Sequence, residues 1–221
     1  MDREAREENS SSPNGSCIVQ KLEYIGASGD SCRVTITGGS FFYLFSELIQ
    51  EWDIFRSKPL TNELAESLLS AHEECLAYWK ALDIIAGRDQ SVEMLTLKLK
   101  KRGFSEEACS RALGRLQEKG LVDDERFAWR YTDSVLRKKH EGRRKLYARL
   151  LNKGIPRETA ERTVSLISKE EETTALVTAG EKLLRRKTHI SEEKLVRALL
   201  AKGFQYVDIR RFLAEKISHE N

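Results

Sequence analysis

The chain has 221 residues, about 40% of them hydrophobic and 33% charged, with three prolines and a net charge of +3, which is enough apolar material for one elongated or two small globular domains. Its richness in Leu, Ala, Glu, Lys and Arg, with aromatics at 8%, predicts helix and argues against a β-sandwich, because straight-chain residues lose little rotamer freedom in a helix. No run approaches the roughly 18 apolar residues of a membrane span; even Phe41 to Phe45 is closed by Ser46 and Glu47.

In chain order, Met1 to Ser16 is polar and lacks the apolar centre of a secretion signal, so it reads as a disordered tail on a cytoplasmic protein. Ile18 to Tyr24 and Cys32 to Thr37 are two β-rich runs around a link holding Gly26, Gly29 and Asp30, a small hairpin to which Phe41 to Phe45 could add a strand. A short helix should then open at Ser46 and run through Trp52 and Phe55, completing an N-terminal extension over 17–60. A hairpin alone is marginal in water, so this one is expected to dock on the helices that follow. Cys17 and Cys32 could face each other across it. Without a CxxC or a histidine at ligand spacing, however, the four cysteines and the scattered His72, His140, His189 and His219 predict reduced thiols and no metal site.

Beyond Pro59 the pattern is helical throughout, the first long helix running from near Thr61 to near Gly87. Three segments share a template centred on Gly103, Gly154 and Gly203. Eight residues before each glycine stand Leu95, Leu146 and Leu195; four before, Leu99, Leu150 and Leu199; one after, Phe104, Ile155 and Phe204. Six after come Cys109, Ala160 and Ile209, and ten after, Leu113, Val164 and Leu213. The physical logic is a helix that ends in Arg102, Lys153 or Lys202, complementing its dipole, followed by a glycine in the left-handed conformation and then a second helix. A third helix precedes each template, near Ala71 to Ala86, Asp124 to Lys139 and Thr173 to Arg186. The expected fold is therefore mainly α: an elongated solenoid of three three-helix repeats over 61–120, 121–170 and 171–221, behind the β-hairpin extension.

Charge is unevenly spread. Lys98 to Lys153 holds 17 Lys/Arg against 8 Asp/Glu, a concentration that attracts phosphates or an acidic protein face. Its densest part is Arg137-Lys138-Lys139-His140-Glu141-Gly142-Arg143-Arg144-Lys145, a glycine joint between helices. Glu141 is the only acid within that run, so its six cations cannot all point at acids of their own chain, which favours a binding role over a merely solvated face. With Lys101, Arg102, Arg149 and Lys153 they form the candidate partner or DNA surface. Asp123-Asp124-Glu125 could hold a metal, but three acids opening a helix serve its unpaired N–H groups and its dipole. Among the aromatics, Tyr131 is expected in the core and Trp129 exposed. No motif for an activated nucleophile, a phosphate loop or a metalloprotease occurs, so neither enzyme activity nor a cofactor is expected.

The stretch Gly120-Leu121-Val122-Asp123-Asp124-Glu125-Arg126-Phe127-Ala128, followed by Tyr131, Gly142, Leu146, Leu150, Lys153, Gly154 and Ile155, resembles the RecX family. Ala81-Leu82, Arg88, Ser91, Glu93, Leu95, Leu99 and Gly103 are similar to that family's first repeat, although Asp89-Gln90 stands where many relatives place a proline. The resemblance covers roughly Ala71 to Ile217 and implies that Asp123, Asp124, Phe127, Ala128, Tyr131, Gly142, Leu146, Leu150 and Gly154 are mainly structural. It further implies a non-catalytic, monomeric protein of DNA repair, homologous recombination and the SOS response. Such a protein binds RecA and its filament on single-stranded DNA, lies in the filament groove and mainly suppresses ATP hydrolysis and strand exchange, with direct DNA contact as an addition. The alternative is a helix-turn-helix-like DNA-binding protein built on Leu95 to Val122; against it, the second helix starts Ser105-Glu106-Glu107, which phosphates would repel.

Overall fold

The computed structural model describes residues 17–26, 29–186 and 190–220. The Met1 to Ser16 segment and His189 lie outside the described residues. The chain divides into two compact units, one of Met1–Gly87 with Thr96–Lys119 and one of Arg88–Leu95 with Gly120–Asn221. The described elements are three strands and ten helices, mainly α with a small N-terminal sheet.

In the first unit, β1 (Val19–Ile25), β2 (Ser31–Ile36) and β3 (Phe41–Phe45) form an antiparallel sheet in the order β1-β2-β3. The third strand therefore joins the hairpin. Gly38 and Gly39, at φ +90° and +88°, make the tight β2–β3 turn that few other residues could adopt. The register pairs Cys32 with Tyr24 on one side and Leu44 on the other. Cys17, by contrast, precedes β1 and accepts a hydrogen bond from the Leu60 N–H at 2.8 Å. The two cysteines thus do not face each other, because Cys32 sits near the turn end of the β1–β2 pairing, opposite Tyr24, and Cys17 lies beyond the other end, where Val19 pairs with Ile36. All four cysteines are free thiols, Cys32, Cys75 and Cys109 fully buried. Burial pushes the Cys75 thiol up to about 12.

Helix α1 (Ser46–Glu51) is shorter than the hydrophobic pattern suggested, since the chain leaves helical geometry after Trp52 and Asp53 takes φ +49°. Helix α2 (Asn62–Gly87) lies against the sheet. The Tyr43 N–H donates to His72 Nδ1 at 2.9 Å, Trp79 meets the Tyr43 ring edge-on at 4.9 Å between centroids, and Tyr78 meets Phe45 at 5.2 Å. Val19, Cys32, Val34, Phe42 and Leu44 of the sheet share one core with Leu48, Ile49, Ile54, Leu68 and Ala71, so the hairpin docks as its marginal intrinsic stability requires. Helix α3 (Val92–Lys100) leads through the Gly103 turn to α4 (Glu106–Glu118). Helices α2 and α4 are tied by the buried Glu74, which accepts from Arg115 Nε at 2.5 Å and pairs with Arg111 at 3.0 Å.

The second unit contains α5 (Asp124–Lys139), α6 (Arg143–Leu151), α7 (Arg157–Ser165), α8 (Lys169–Arg186), α9 (Glu192–Ala201) and α10 (Tyr206–Glu220). Its cores follow the template. Ala128, Leu150, Ile155 and Ala160 cluster in the α5–α7 group, and Ala175, Leu195, Leu199, Phe204, Ile209 and Leu213 in the α8–α10 group.

The template has a stereochemical explanation. Gly103, Gly154 and Gly203 sit at φ +87°, +75° and +90°. The N–H of the residue after each reaches back to the carbonyl four before it: Phe104 to Leu99 at 3.3 Å, Ile155 to Leu150 at 3.1 Å and Phe204 to Leu199 at 3.3 Å. Three times over, this is the six-to-one bond of a Schellman cap, whose two hydrogen-bonded residues pack their apolar side chains together. Of the fifteen template positions all are buried except Phe104 and Val164, which are half-buried. The helix starts follow the same local rules: Ser105 Oγ accepts from the Ala108 N–H at 3.2 Å, and Asp123 Oδ1 from Arg126 at 2.9 Å.

Candidate partner interface at the α5–α6 joint

Helix α5 ends in Arg137-Lys138-Lys139, where cations meet the negative end of the dipole. It stops because His140 adopts φ +51°, its N–H bonding the Leu136 carbonyl at 3.1 Å. The left-handed residue of the joint is thus His140 and not Gly142, whose φ is −77°. Glycine is needed at 142 for another reason. A Cβ there would lie 2.5 Å from the Gly203 carbonyl oxygen and 2.7 Å from its carbon, and the Gly142 N–H donates to the Lys202 carbonyl at 2.9 Å. The joint is where the start of α6 packs, backbone on backbone, against the turn that ends α9.

The sequence-selected cations divide into two sets here. Arg149 is a structural pin: its Nη2 donates to Glu141 Oε1 at 2.8 Å and its Nε to Oε2, a bidentate pair with a buried carboxylate. Burial works to raise the Glu141 carboxyl. The Arg149 hydrogen bond and the charges of Arg149, Lys202 and Lys139 outweigh it, and Glu141 titrates below its ordinary range. Arg143 is a second pin, its Nε ion-paired at 3.2 Å, without hydrogen-bond alignment, to the buried Glu172 and its Nη2 donating to the Ile167 carbonyl. Arg137 pairs with Asp133 at 2.7 Å on the α5 surface. Acids outside the basic run, Asp133 and Glu172, therefore answer two of its six cations, which the run by itself did not reveal; α8 supplies Glu172 from 29 residues away.

The second set faces solvent. Lys138, Lys139, Arg144 and Lys145 are exposed, and their side chains make no hydrogen bond or ion pair among the described residues. Two lysines that sequence reasoning left out join them. Lys202 donates its Nζ to the Lys139 carbonyl at 2.9 Å. Lys182 on α8 is exposed, and its charge helps depress both His140 and Lys202, in each case after burial as the larger cause. No sequence signal picked out Lys182; Lys202 was visible only as the basic residue before a template glycine. Lys153 is half-buried, and its carbonyl accepts from Ser91 Oγ. Lys101 and Arg102 are exposed in the other unit, with Arg102 Nη1 bonding the Lys98 carbonyl at 2.9 Å.

One feature sets α6 apart. Each of the other nine described helices has at least one Asp or Glu in its first turn, whereas α6 has none and opens Arg143-Arg144-Lys145. Cations at a helix N-terminus are unfavourable by roughly 0.3–1 kcal/mol each. Glu172 offsets that for Arg143, accepting from its backbone N–H at 3.2 Å, but not for Arg144 or Lys145. Such a local violation is expected where a surface serves a partner rather than the fold.

The acids of the 123–125 cluster are engaged elsewhere: Asp123 caps α5, Asp124 accepts from the Val92 N–H at 2.9 Å, and Glu125 pairs with Arg162. Phe127 and Tyr131 stack at 5.9 Å within the core of this unit, while Trp129 is 59% exposed.

Comparison with known proteins finds two family matches, to the first three-helix domain of RecX over residues 77–116 and to its second three-helix domain over 123–164. The regulatory protein RecX of Chlorobaculum tepidum is 35% identical over 144 residues, 64% of this chain and 88% of that protein. The RecX of Clostridioides difficile is 26% identical over 207 residues, 92% and 97% of the two chains. A crystal structure of a regulatory protein RecX superposes with a TM-score of 0.76 over 90% of this chain and 99% of that one, at 19% identity, and so speaks to the fold. The crystal structure of RecX from Lactobacillus salivarius gives 0.59 over 65% and 96%, at 25% identity.

Proposed function

Because this chain belongs to the RecX family of regulatory proteins, we propose that it is a non-enzymatic regulator that binds RecA and the RecA filament on single-stranded DNA, lowering ATP hydrolysis and strand exchange. The contact surface is the exposed part of the α5–α6 joint: Lys138, Lys139, Arg144 and Lys145, with Lys182 beside them. The observation that carries this reading is the all-basic first turn of α6, which the helix itself would rather not have. Four to five unpaired cations in one place create a potential that meets acidic protein faces and phosphates alike, and that salt screens. Arg143 and Arg149 hold the joint in shape and are left out of the contact set; Lys101 and Arg102 form a separate, secondary patch in the other unit.

The protein acts in the cytoplasm, where its partner is. No helix among the described residues is long and apolar enough to cross a membrane. The helix-turn-helix alternative draws no support from the start of α4, where the Ser105 N–H and Oγ both bond Glu73, at 2.6 and 2.7 Å, beside exposed Glu106 and Glu107. DNA phosphates would meet three carboxylates there.

The test is ATP hydrolysis by the cognate RecA on single-stranded DNA while the protein is titrated in at two salt concentrations. Suppression below one protein per RecA, weaker at the higher salt, is the expected result. Unchanged hydrolysis at both, with tight duplex binding by the protein alone, would transfer the assignment to the helix-turn-helix reading.

A further inference from the structure

The joint at Gly142 is one of two built on the same plan. Twelve residues before each template glycine stands the residue that opens a template helix: Ser91, Gly142 and Ser191. At the first joint Ser91 is fully buried, its Oγ donates to the Lys153 carbonyl, and Glu93 lies so close over Gly154 that any Cβ there would overlap it. At the second, the Gly142 N–H donates to the Lys202 carbonyl and the backbone of Lys145 covers Gly203. In both, the start of one template helix seats on the basic residue and glycine that end the next.

Two halves of such a joint remain. Ser191 is exposed and its side chain makes no capping hydrogen bond, although Ser191-Glu192-Glu193 repeats the serine and the glutamate of Ser91-Val92-Glu93. The complementary half is Arg102-Gly103, a basic residue and a glycine at φ +87° like Lys153-Gly154. Gly103 is exposed, whereas Gly154 is half-buried and Gly203 buried. Charge matches in part: Glu192 and Glu193, paired in their own chain with Arg210 and Arg197, stand on one half, and Lys101 and Arg102, followed by the acidic start of α4, on the other.

We propose that this protein self-associates head to tail, the start of α9 in one molecule seating on the Gly103 turn of a second copy as Ser91 and Glu93 seat on Gly154 within one chain. The interface is heterologous, so copies add head to tail, in open chains or, where the rotation closes, in rings. A joint of one helix start on one turn is small, and the monomer expected from the sequence dominates until the concentration reaches on the order of 100 µM. The proposal stands apart from the RecA reading, because its test contains neither RecA nor DNA.

The experiment is sedimentation velocity of the full chain from roughly 10 to 500 µM, with two variants, Ser191→Arg/Glu193→Lys and Lys101→Glu, each on exposed positions and checked for unchanged helicity by circular dichroism. Wild type should sediment faster as concentration rises. Each variant alone should remain monomeric, and an equimolar mixture of the two should associate, since one intact half of each kind remains and the two reversed halves are of opposite charge. Unchanging wild-type sedimentation, association of either variant as strong as wild type, or a mixture that fails to associate would each overturn it. Should the double variant lose helicity, Glu193→Lys alone replaces it in the same mixture.

Discussion

Arg149 and Gly142 carry the joint at the level of single residues, and each has a distinct failure. Replacing Arg149 by Met strands the buried Glu141 carboxylate; because Arg149 itself keeps some solvent contact, the loss should be roughly 3 kcal/mol, the low end for breaking a buried pair. Urea denaturation measures it, and adding Glu141→Leu should recover part of the loss. The pH dependence has a definite sign. Glu141 titrates below its unfolded value, so its contribution is present at neutral pH and is lost as pH falls through the folded value, on the acid side of the ordinary glutamate range. In Arg149→Met that acid-side loss should shrink, since only the charges of Lys202 and Lys139 then oppose burial of the carboxyl. Gly142→Ala should cost about 1–3 kcal/mol through overlap with the Gly203 backbone, which has no side-chain freedom to yield. Gly114→Ala, inside α4 with open space around it, is the control and should stabilise by about 0.5–1 kcal/mol. A thermal melt of the two variants in parallel would separate packing at the joint from a general effect of the substitution.

Helix α6 shows stability and recognition pulling in opposite directions. Arg144→Glu with Lys145→Glu replaces two cations at a positive helix end by the acids that the other nine described helices carry, and should raise stability by about 0.5–2 kcal/mol in total. The same change should weaken suppression of RecA ATP hydrolysis at least tenfold. A variant that is less stable and inhibits unchanged would show that the first turn of α6 serves the fold. The elements also show why the repeat was readable from the sequence. Leu99 and Phe104, Leu150 and Ile155, and Leu199 and Phe204 lie five residues apart and are bonded to each other, so a local steric rule connects them. Arg143 and Glu172, or Lys139 and Lys202, are joined only after helices pack, and no periodicity links them.

For the whole molecule, the charge concentrated between Lys98 and Lys153 should make partner binding strongly salt-dependent. If Arg144 and Lys145 each meet a DNA phosphate, reversing them should lower the slope of log affinity against log salt by about 1.4, as titration of the protein against single-stranded DNA at several salt concentrations would read. An unchanged slope with weakened RecA binding would place both on protein. The amino-acid sequence by itself determined the helical class, the fifty-residue period, the three left-handed glycines, the β-rich extension and the location of the basic run, because each follows from interactions between residues close along the chain. It was misleading where contacts are long-range. It counted Arg143 and Arg149 as partner contacts, although Glu172 and Glu141 engage them, and it gave no sign that His140 makes the turn at 140–142 while Gly142 makes room for Gly203. Only tertiary structure decided which cations are left over, since ion pairing is settled by helices that meet across tens of residues.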